Sequence, residues 1–203
     1  DEARETLKAP DILQNLIDDG RLGQKTKAGF YKKTEEGILS VDLKTGEYKD
    51  QKKVLFDGYR VAKAFQKVES RIKALAFNDD KAGKFMWEIT VDSLIYSANR
   101  IPEISDDIIN IDNAMKWGYG WELGPFECWD AMGVQATVNR MKKENKKVPS
   151  WVEEMLSSGR ETFYELKNGK RTYYDVISSS IKTIEEDPKV INLNLKKSGN
   201  NLI

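Results

Sequence analysis

Two glycine-rich segments have residue types and spacings close to those of nucleotide-binding loops. Residues 118–124 read Gly-x-Gly-x-x-x-Gly, and a second segment, residues 20–29, contains a Lys-Thr pair that begins at Lys25. A dinucleotide fingerprint follows a strand and opens a helix, and a phosphate-binding loop carries a glycine directly before its lysine. The residues before the first segment have helical spacing, and Gln24 precedes Lys25. We therefore interpret both segments as structural turns, the first with glycines that let neighbouring aromatic side chains pack closely.

The residue types missing from the sequence exclude several kinds of active site. The 203 residues include no histidine, which removes the commonest general base and the usual zinc and haem ligand. The single cysteine, Cys128, cannot form a disulfide within the chain. We predict that this chain holds no catalytic residue, no cofactor-binding residue and no metal site.

The charge balance gives no argument for a nucleic-acid partner or an anionic membrane. Lys plus Arg and Asp plus Glu each number 33. No apolar run approaches the roughly 18 residues of a membrane span or the length of a signal sequence. We predict a cytoplasmic protein with no nucleic-acid and no membrane partner.

The spacing of apolar residues predicts a mainly helical chain. Helices are expected at residues 10–19, 54–77, 80–100, 105–116, 125–132, 134–144, 149–158 and 174–186, with a hairpin at 38–49 and a strand at 190–195. The helix at 80–100 has one apolar stripe with Phe85 and Ile89 and another with Trp87 and Leu94. We therefore expect this helix to be buried on two sides, at the centre of a bundle.

Residues 111–133 form the most informative segment, because one helix ends there among aromatic residues and glycines and the next begins at Pro125. Proline suits a first helical position, and Gly133 stands where a helix would stop. Trp129 falls on the apolar stripe of the new helix. This series resembles the C-terminal domain of the 3-hydroxyacyl-CoA dehydrogenases, which carries Asp-x-Ala-Met, Gly-x-Gly, Gly-Pro-Phe-Glu and Asp-x-x-Gly motifs. The matching residues are Asp112, Ala114, Met115, Gly118, Gly120, Gly124, Pro125, Phe126, Glu127, Asp130 and Gly133.

A second resemblance lies at residues 20–33, which are similar to the Gly-x-Leu-Gly-x-Lys-Thr-x-x-Gly-Phe-Tyr ending of the same domain. In the family this ending follows the Gly-Pro-Phe-Glu motif, whereas here it comes first. A Pro, a Gly and an Arg at positions 10, 20 and 21 recur at 149, 159 and 160, a constant offset of 139 residues. The order therefore indicates the tail of one copy followed by a second copy.

The resemblance implies a mainly α fold, a helical bundle of the 6-phosphogluconate dehydrogenase C-terminal-like type with a small β-hairpin. We predict the tail of a first repeat plus the hairpin at residues 1–50 and a connecting helix at 51–78. A second repeat would occupy residues 79–175, and residues 176–203 would form a linker toward a missing downstream domain.

The resemblance also implies that the chain is a fragment of an NAD-dependent oxidoreductase of fatty-acid metabolism and β-oxidation, fused to an enoyl-CoA hydratase. NAD would be bound by a domain absent from this chain, which would also carry the family's catalytic histidine and glutamate. The fragment would close over the acyl-CoA and pack against another copy, as a homo-oligomer or an intramolecular pseudo-dimer. It would be inactive alone. The alternative is a non-catalytic helical assembly module.

Two residues are candidates for contact with substrate. Asn78 falls near the family's substrate-contacting Asn, although Asp79 stands where the family has Arg. We favour a helix cap for Asn78. Lys25, with Arg21 or Lys27, is a candidate for contact with the phosphates of coenzyme A. The alternative is that this segment is only a structural turn, as interpreted above.

Overall fold

A computed structural model describes residue 4, residues 8–167 and residues 169–185. The chain divides into two compact units, Asp1–Leu55 and Phe56–Ile203. Helices dominate, and the strands form two small antiparallel sheets. The predicted mainly α fold is therefore confirmed.

The described residues of the first unit form one α-helix and one three-stranded sheet. Its elements are α1 (Asp11–Asp18), a 3₁₀ turn (Gln24–Thr26), β1 (Tyr31–Lys33), β2 (Ile38–Val41) and β3 (Tyr48–Asp50). The strands are antiparallel in the order β1-β2-β3, so the predicted hairpin is present with one more strand. Arg21 follows α1 and donates a hydrogen bond to the Gly46 carbonyl in the turn between β2 and β3, at 2.7 Å. This bond joins the helix end to the sheet.

The glycine-rich segment after α1 folds tightly on itself. A Cβ added to Gly29 would lie 2.7 Å from the Cα of Gly23, so the close approach requires a glycine. The Thr26 hydroxyl accepts the Leu22 N–H at 2.9 Å and donates to the Ala28 carbonyl at 3.0 Å. The threonine therefore closes the turn.

The second unit contains seven helices and a second three-stranded sheet within the described residues. They are α2 (Asp57–Lys63), α3 (Val68–Ala76), α4 (Lys81–Asn99), α5 (Ile108–Tyr119), α6 (Pro125–Met132), α7 (Val134–Lys143), α8 (Ser150–Ser157), β4 (Tyr164–Lys167), β5 (Lys170–Asp175) and β6 (Ser180–Thr183). Helix α6 packs against α3, α4, α5 and α7. The largest fully buried side chains are Trp87, Trp129, Phe126 and Phe163, so the core surrounds α6.

Helix α4 is buried on one side, and the expectation of burial on two sides is wrong. Trp87 is 1% exposed, whereas Phe85 is 63% and Ile89 is 46% exposed. The stripe with Trp87 packs into the core, and the stripe with Phe85 and Ile89 remains largely in solvent.

Three other predicted elements differ from the structure. The helix expected at 54–77 is interrupted, because Ala64 ends α2 and Lys67 has the extended backbone of an N-cap. Helix α5 begins after Asp107, whose carboxylate accepts the Asn110 N–H at 2.7 Å, and not at 105. The helix expected at 174–186 is wrong, because β5 and β6 form a hairpin there. The strand expected at 190–195 lies outside the described residues.

The two segments related by the offset of 139 residues have the same local structure. Helices α1 and α8 each contain 8 residues and each follow a proline with an extended backbone. Gly20 and Gly159 have φ of +70° and +86°. The next residue is an arginine, whose N–H donates to the carbonyl five residues earlier, at 2.8 Å and 3.3 Å. A three-stranded antiparallel meander follows each turn, although the sequences diverge after Arg160.

Candidate functional site

Three carboxylates of the segment at 111–133 lie at the junction of α5, α6 and β4. Asp112 comes from α5, and Glu127 and Asp130 come from α6. Each of them accepts hydrogen bonds from backbone N–H groups of a neighbouring element or turn. Whether this cluster could act on a substrate therefore depends on which donors already occupy its carboxylate oxygens.

Asp112 caps the first turn of α6 from the neighbouring helix. Its carboxylate accepts the N–H groups of Phe126 at 2.8 Å and Glu127 at 3.2 Å. The N-cap of α6 is Gly124, which has no side chain to accept them. The Tyr164 hydroxyl also donates to Asp112, at 2.8 Å, and so ties β4 to the same carboxylate.

Burial controls the protonation of Asp112 and its tyrosine partner. Burial raises the pKa of Asp112 to about 6, against the opposing effect of hydrogen bonds from Phe126 and Tyr164. Burial, with the Asp112 charge second, raises the pKa of Tyr164 far above its usual value. At neutral pH the Tyr164 hydroxyl therefore stays protonated and donates a hydrogen bond to the ionised Asp112 carboxylate.

Glu127 is the ionised centre of a small charge cluster. Its carboxylate accepts the Gly124 N–H at 3.0 Å, Lys116 at 2.9 Å and Arg171 at 2.6 Å. Burial alone would raise the pKa of Glu127, but these three donors together lower it. Arg171 also lies over the Tyr164 ring, 4.8 Å from its centroid, so β5 is joined to α6 by the same contacts.

Asp130 fixes the start of β4. It accepts the N–H groups of Phe163 at 2.7 Å and Tyr164 at 2.8 Å. Burial raises the pKa of Asp130 to about 7, and those two hydrogen bonds oppose the increase. Phe163 in turn packs against Trp129, with ring centroids 5.4 Å apart. The strand is thereby held on α6 by both polar and aromatic contacts.

The carboxylate cluster has the arrangement of a structural junction. Asp112 is only 1% exposed, so a dissolved substrate has no access to it. Its oxygens and those of Glu127 and Asp130 already accept backbone N–H groups, a tyrosine hydroxyl or cationic side chains. We interpret these motif residues as the contacts that hold the second sheet against α5 and α6.

The aromatic residues around the Gly-x-Gly motif are exposed, and the expectation that they pack closely is wrong. Trp117 is 81% and Tyr119 is 75% exposed. Gly120 ends α5 in the left-handed conformation, with φ of +68°. A Cβ added to Gly118 would meet nothing within 4 Å. Gly120 therefore serves the turn, and no close approach requires a glycine at 118.

The two candidates for substrate contact lie in different units. Asn78 is half-buried before α4, but the side chain that caps α4 is Asp80, which accepts the Gly83 N–H at 2.8 Å. The Asn78 side chain accepts the Asp80 N–H at 3.0 Å and thus orders the capping residue. The prediction that Asn78 is itself the cap is therefore wrong. Lys25 is exposed in the 3₁₀ turn.

The sequence did not predict an apolar cavity in the second unit. Its volume is about 430 Å³, and its walls come from α3, α4, α6 and the connection between α5 and α6. Met86 and Ile89 of the outward stripe of α4 contribute to one wall. This outward stripe is the sequence feature that could indicate the cavity, because its apolar residues do not pack into the core and need another apolar neighbour.

Two further observations concern metals and membranes. The described residues include no group of three or more His, Cys, Asp or Glu side chains placed to hold a metal ion. No helix in the described ranges is long and apolar enough to cross a bilayer.

Comparison with known proteins finds one dehydrogenase and two trifunctional enzymes as relatives. A probable 3-hydroxyacyl-CoA dehydrogenase of Bacillus subtilis is 38% identical over 202 residues, which are 100% of this chain and 25% of that relative. Putative fatty acid oxidation complex trifunctional enzymes of Rickettsia felis and Rickettsia prowazekii are 31% and 29% identical over 119 residues. This match covers 57% of the chain and 15% of each relative. The resemblance to the 3-hydroxyacyl-CoA dehydrogenases is confirmed, because the chain is similar along its whole length to one part of the Bacillus protein.

The chain thus spans about a quarter of the length of its Bacillus relative. No family model and no solved structure matches it.

Proposed function

We propose that this chain, as a portion of a 3-hydroxyacyl-CoA dehydrogenase, supplies a helical part of an enzyme that oxidises 3-hydroxyacyl-CoA to 3-oxoacyl-CoA with NAD. The observation that carries the proposal is the similarity to the Bacillus protein along the whole chain. The names of the Rickettsia relatives support a place in fatty-acid oxidation. The proposal includes a cytoplasmic location and fusion to an enoyl-CoA hydratase. These two parts of the proposal rest on the sequence alone.

The Gly-x-Gly segment at residues 118–124 does not fit the pyrophosphate of NAD. The Gly-x-Gly sequence ends α5, so the C-terminal end of a helix faces it. That end carries partial negative charge and unpaired carbonyl groups, whereas a pyrophosphate binds at the positive N-terminus of a helix. The sequence also lacks a histidine to take the hydroxyl proton. We therefore propose that the nucleotide site and the catalytic base lie in the rest of the parent enzyme.

The part proposed for this chain is to close over the acyl-CoA and to pack against another copy of the same domain. Exposed aromatic side chains at the end of α5, Trp117 and Tyr119, support a protein interface there, since aromatic residues are enriched at interface centres. In the first unit, Tyr31 is 63% exposed and offers a further apolar contact. The copy would come from a second molecule or from the same parent chain.

A hybrid enzyme tests the proposal directly. The matching quarter of the Bacillus relative is replaced by this chain, and NAD-dependent oxidation of 3-hydroxybutanoyl-CoA is measured. We expect the hybrid to oxidise the substrate at a rate within about tenfold of the unmodified relative, which is assayed in parallel. A hybrid that folds and assembles like the relative but produces no NADH would contradict the proposal.

The second candidate function is a helical assembly module that never contacts substrate. The exposure of Trp117 and Tyr119 favours it, because such side chains serve an interface whether or not a substrate is near. Thermal unfolding with and without acyl-CoA separates the two functions. A module that only mediates assembly would show no shift, whereas a substrate-closing domain would be stabilised by its ligand.

A further inference from the structure

The apolar cavity of the second unit has the dimensions of a small-molecule site. Its volume of about 430 Å³ lies within the range of roughly 300–1,000 Å³ typical of ligand pockets. The cavity is lined by Val68 and Ile72 of α3 and by Met86 and Leu94 of α4, among others. Leu94 is buried, whereas Ile89 and Trp121 on the cavity wall are 46% and 45% exposed. The cavity therefore extends from the core to the surface.

The chemistry of the walls favours an apolar occupant. Among the described residues that line the cavity, Glu122 is the one carboxylate and none is a lysine or arginine. Glu122 itself is exposed. Ser93 uses its hydroxyl to donate to the Ile89 carbonyl at 2.8 Å. Burial, with the Asp112 charge second, raises the pKa of the Cys128 thiol to about 12, so this wall stays neutral. The described lining holds no cationic side chain to bind an anion, and a hydrocarbon chain would gain from burial there.

We propose that this cavity receives the acyl chain of an acyl-CoA thioester, with the coenzyme A part left outside in solvent. The inference rests on the proposed function, which supplies acyl-CoA as the ligand class, and adds the residues that hold the chain. Glu122 favours the thioester over a free fatty acid, because its carboxylate repels a second carboxylate at the mouth. The buried carboxylate cluster at Asp112 takes no part in this binding.

Calorimetric titration of the 203-residue chain with a series of thioesters tests the assignment. Acetyl-, butanoyl-, hexanoyl- and octanoyl-CoA are compared with coenzyme A itself. We expect affinity to rise roughly fourfold for each methylene that enters the cavity, with coenzyme A the weakest ligand. Octanoate is expected to bind more weakly than octanoyl-CoA. Affinities that ignore chain length would overturn the proposal, and octanoate that binds as tightly as the thioester would assign the cavity to free fatty acids instead.

Two cavity-filling variants locate the binding. Thr90→Phe places a ring in the cavity from α4 and should abolish the dependence on chain length. Ser93→Phe does the same from an exposed position on that wall, and provides the test if Thr90→Phe fails to fold. Asn99→Phe, exposed on α4 and outside the cavity, is the matched control and should bind like the unmodified chain. The assignment would be overturned if the folded cavity-filling variants still bound longer acyl chains more tightly than shorter ones.

The binding experiments can fail or succeed independently of the hybrid-enzyme experiment that tests the proposed function. An active hybrid enzyme together with binding that ignores chain length would reject the cavity and leave the dehydrogenase function standing. An inactive hybrid with a clear series would reject that function and keep an acyl-binding site. The cavity could instead be filled by side chains of a second copy of this chain. In that case the chain would form a dimer, Thr90→Phe would prevent the dimer, and acyl-CoA would not affect it. This result would also overturn the proposal.

Discussion

The Asp112 side chain occupies the space that a side chain at position 124 would need. A Cβ placed on Gly124 would lie 2.4 Å from the Cα, Cβ and Cγ atoms of Asp112. At this position Asp112 accepts the N–H groups of Phe126 and Glu127, which the N-cap glycine cannot accept. The first turn of α6 is therefore capped by a residue of α5, and the glycine permits the approach of the two helices.

Gly124→Ala should separate α5 from α6 and lower the free energy of unfolding by at least about 2 kcal/mol. Overpacking costs about 1 to 3 kcal/mol, and the loss of a helix cap costs about 0.5 to 2 kcal/mol. Urea denaturation followed by tryptophan fluorescence measures the effect, because all 5 tryptophans lie in the unit Phe56–Ile203. The control is Gly118→Ala, within α5 and without a neighbour in 4 Å. It should gain about 0.5 to 1 kcal/mol, and equal stability of the two variants would refute this account.

Trp129→Ala should open a cavity in the centre of the second unit. The side chain is 0% exposed and packs against Phe163, so we expect a loss of about 3 to 5 kcal/mol in unfolding free energy. Lys143→Ala, at an exposed position in α7, should change stability by less than about 0.5 kcal/mol. Chemical denaturation compares the two. Identical midpoints with unchanged slopes would show that Trp129 is not a core residue.

The sequence predicts helices well where a proline or glycine marks their ends. Pro125 begins α6, and α8 follows directly after Pro149. The break between α2 and α3 contains neither residue type, so the apolar spacing continues across it and predicts one helix. The sequence does not predict the hairpin of β5 and β6, because its turn uses Ser179 in the left-handed region, with φ of +49°. A serine there gives no turn signal of the kind that glycine or asparagine provides.

The contacts of the carboxylate cluster could not be read from the sequence, because they join distant residues. Asp112 and Gly124 were identified as motif members through resemblance. The partner Tyr164 lies 52 residues from Asp112, and Arg171 lies 44 residues from Glu127. Residue types alone do not specify such pairs, and local spacing informs only on neighbours three or four positions away on a helix.

The whole chain should self-associate through the exposed end of α5, which belongs to the second unit. Trp117→Ser should weaken association by about tenfold or more, since this ring is 81% exposed and adds nothing to the core. Sedimentation equilibrium measures it, with Lys147→Ser as an exposed control that should change nothing. Tyr31→Ser asks whether the first unit contributes as well. A strictly monomeric chain at high concentration would contradict the prediction.

The chain alone should produce no NADH from NAD and a 3-hydroxyacyl-CoA. It has no histidine, and its Gly-x-Gly motif lies at the wrong end of a helix for a pyrophosphate. Absorbance of NADH at high chain concentration is the measurement, with the full-length Bacillus relative as the positive control. Production above background, with contaminating enzyme excluded, would overturn the placement of NAD and the base outside this chain.

The buried aspartates should make the second unit more stable as the pH falls toward 5. An unfolded aspartate has a pKa of about 3.9, whereas burial raises the pKa of Asp130 to about 7 and that of Asp112 to about 6. Between those values the folded chain holds protons that the unfolded chain has lost. Their contribution to the free energy of unfolding is therefore fully present below about pH 4 and is lost as the pH rises through 6 to 7.

Asp130→Asn isolates the contribution of Asp130 from that of other carboxylates. The pKa of Glu127, for example, is lowered, so its contribution to stability changes with pH in the opposite direction. We expect the unfolding free energy of the native chain, minus that of the variant, to fall between pH 5 and pH 8. The slope should approach roughly 1.4 kcal/mol per pH unit below pH 6 and flatten above pH 7. Urea denaturation by tryptophan fluorescence at each pH provides the values. Asp79→Asn, at an exposed position, is the matched control. Parallel profiles for the native chain and Asp130→Asn would mean that Asp130 titrates alike in the folded and unfolded chain.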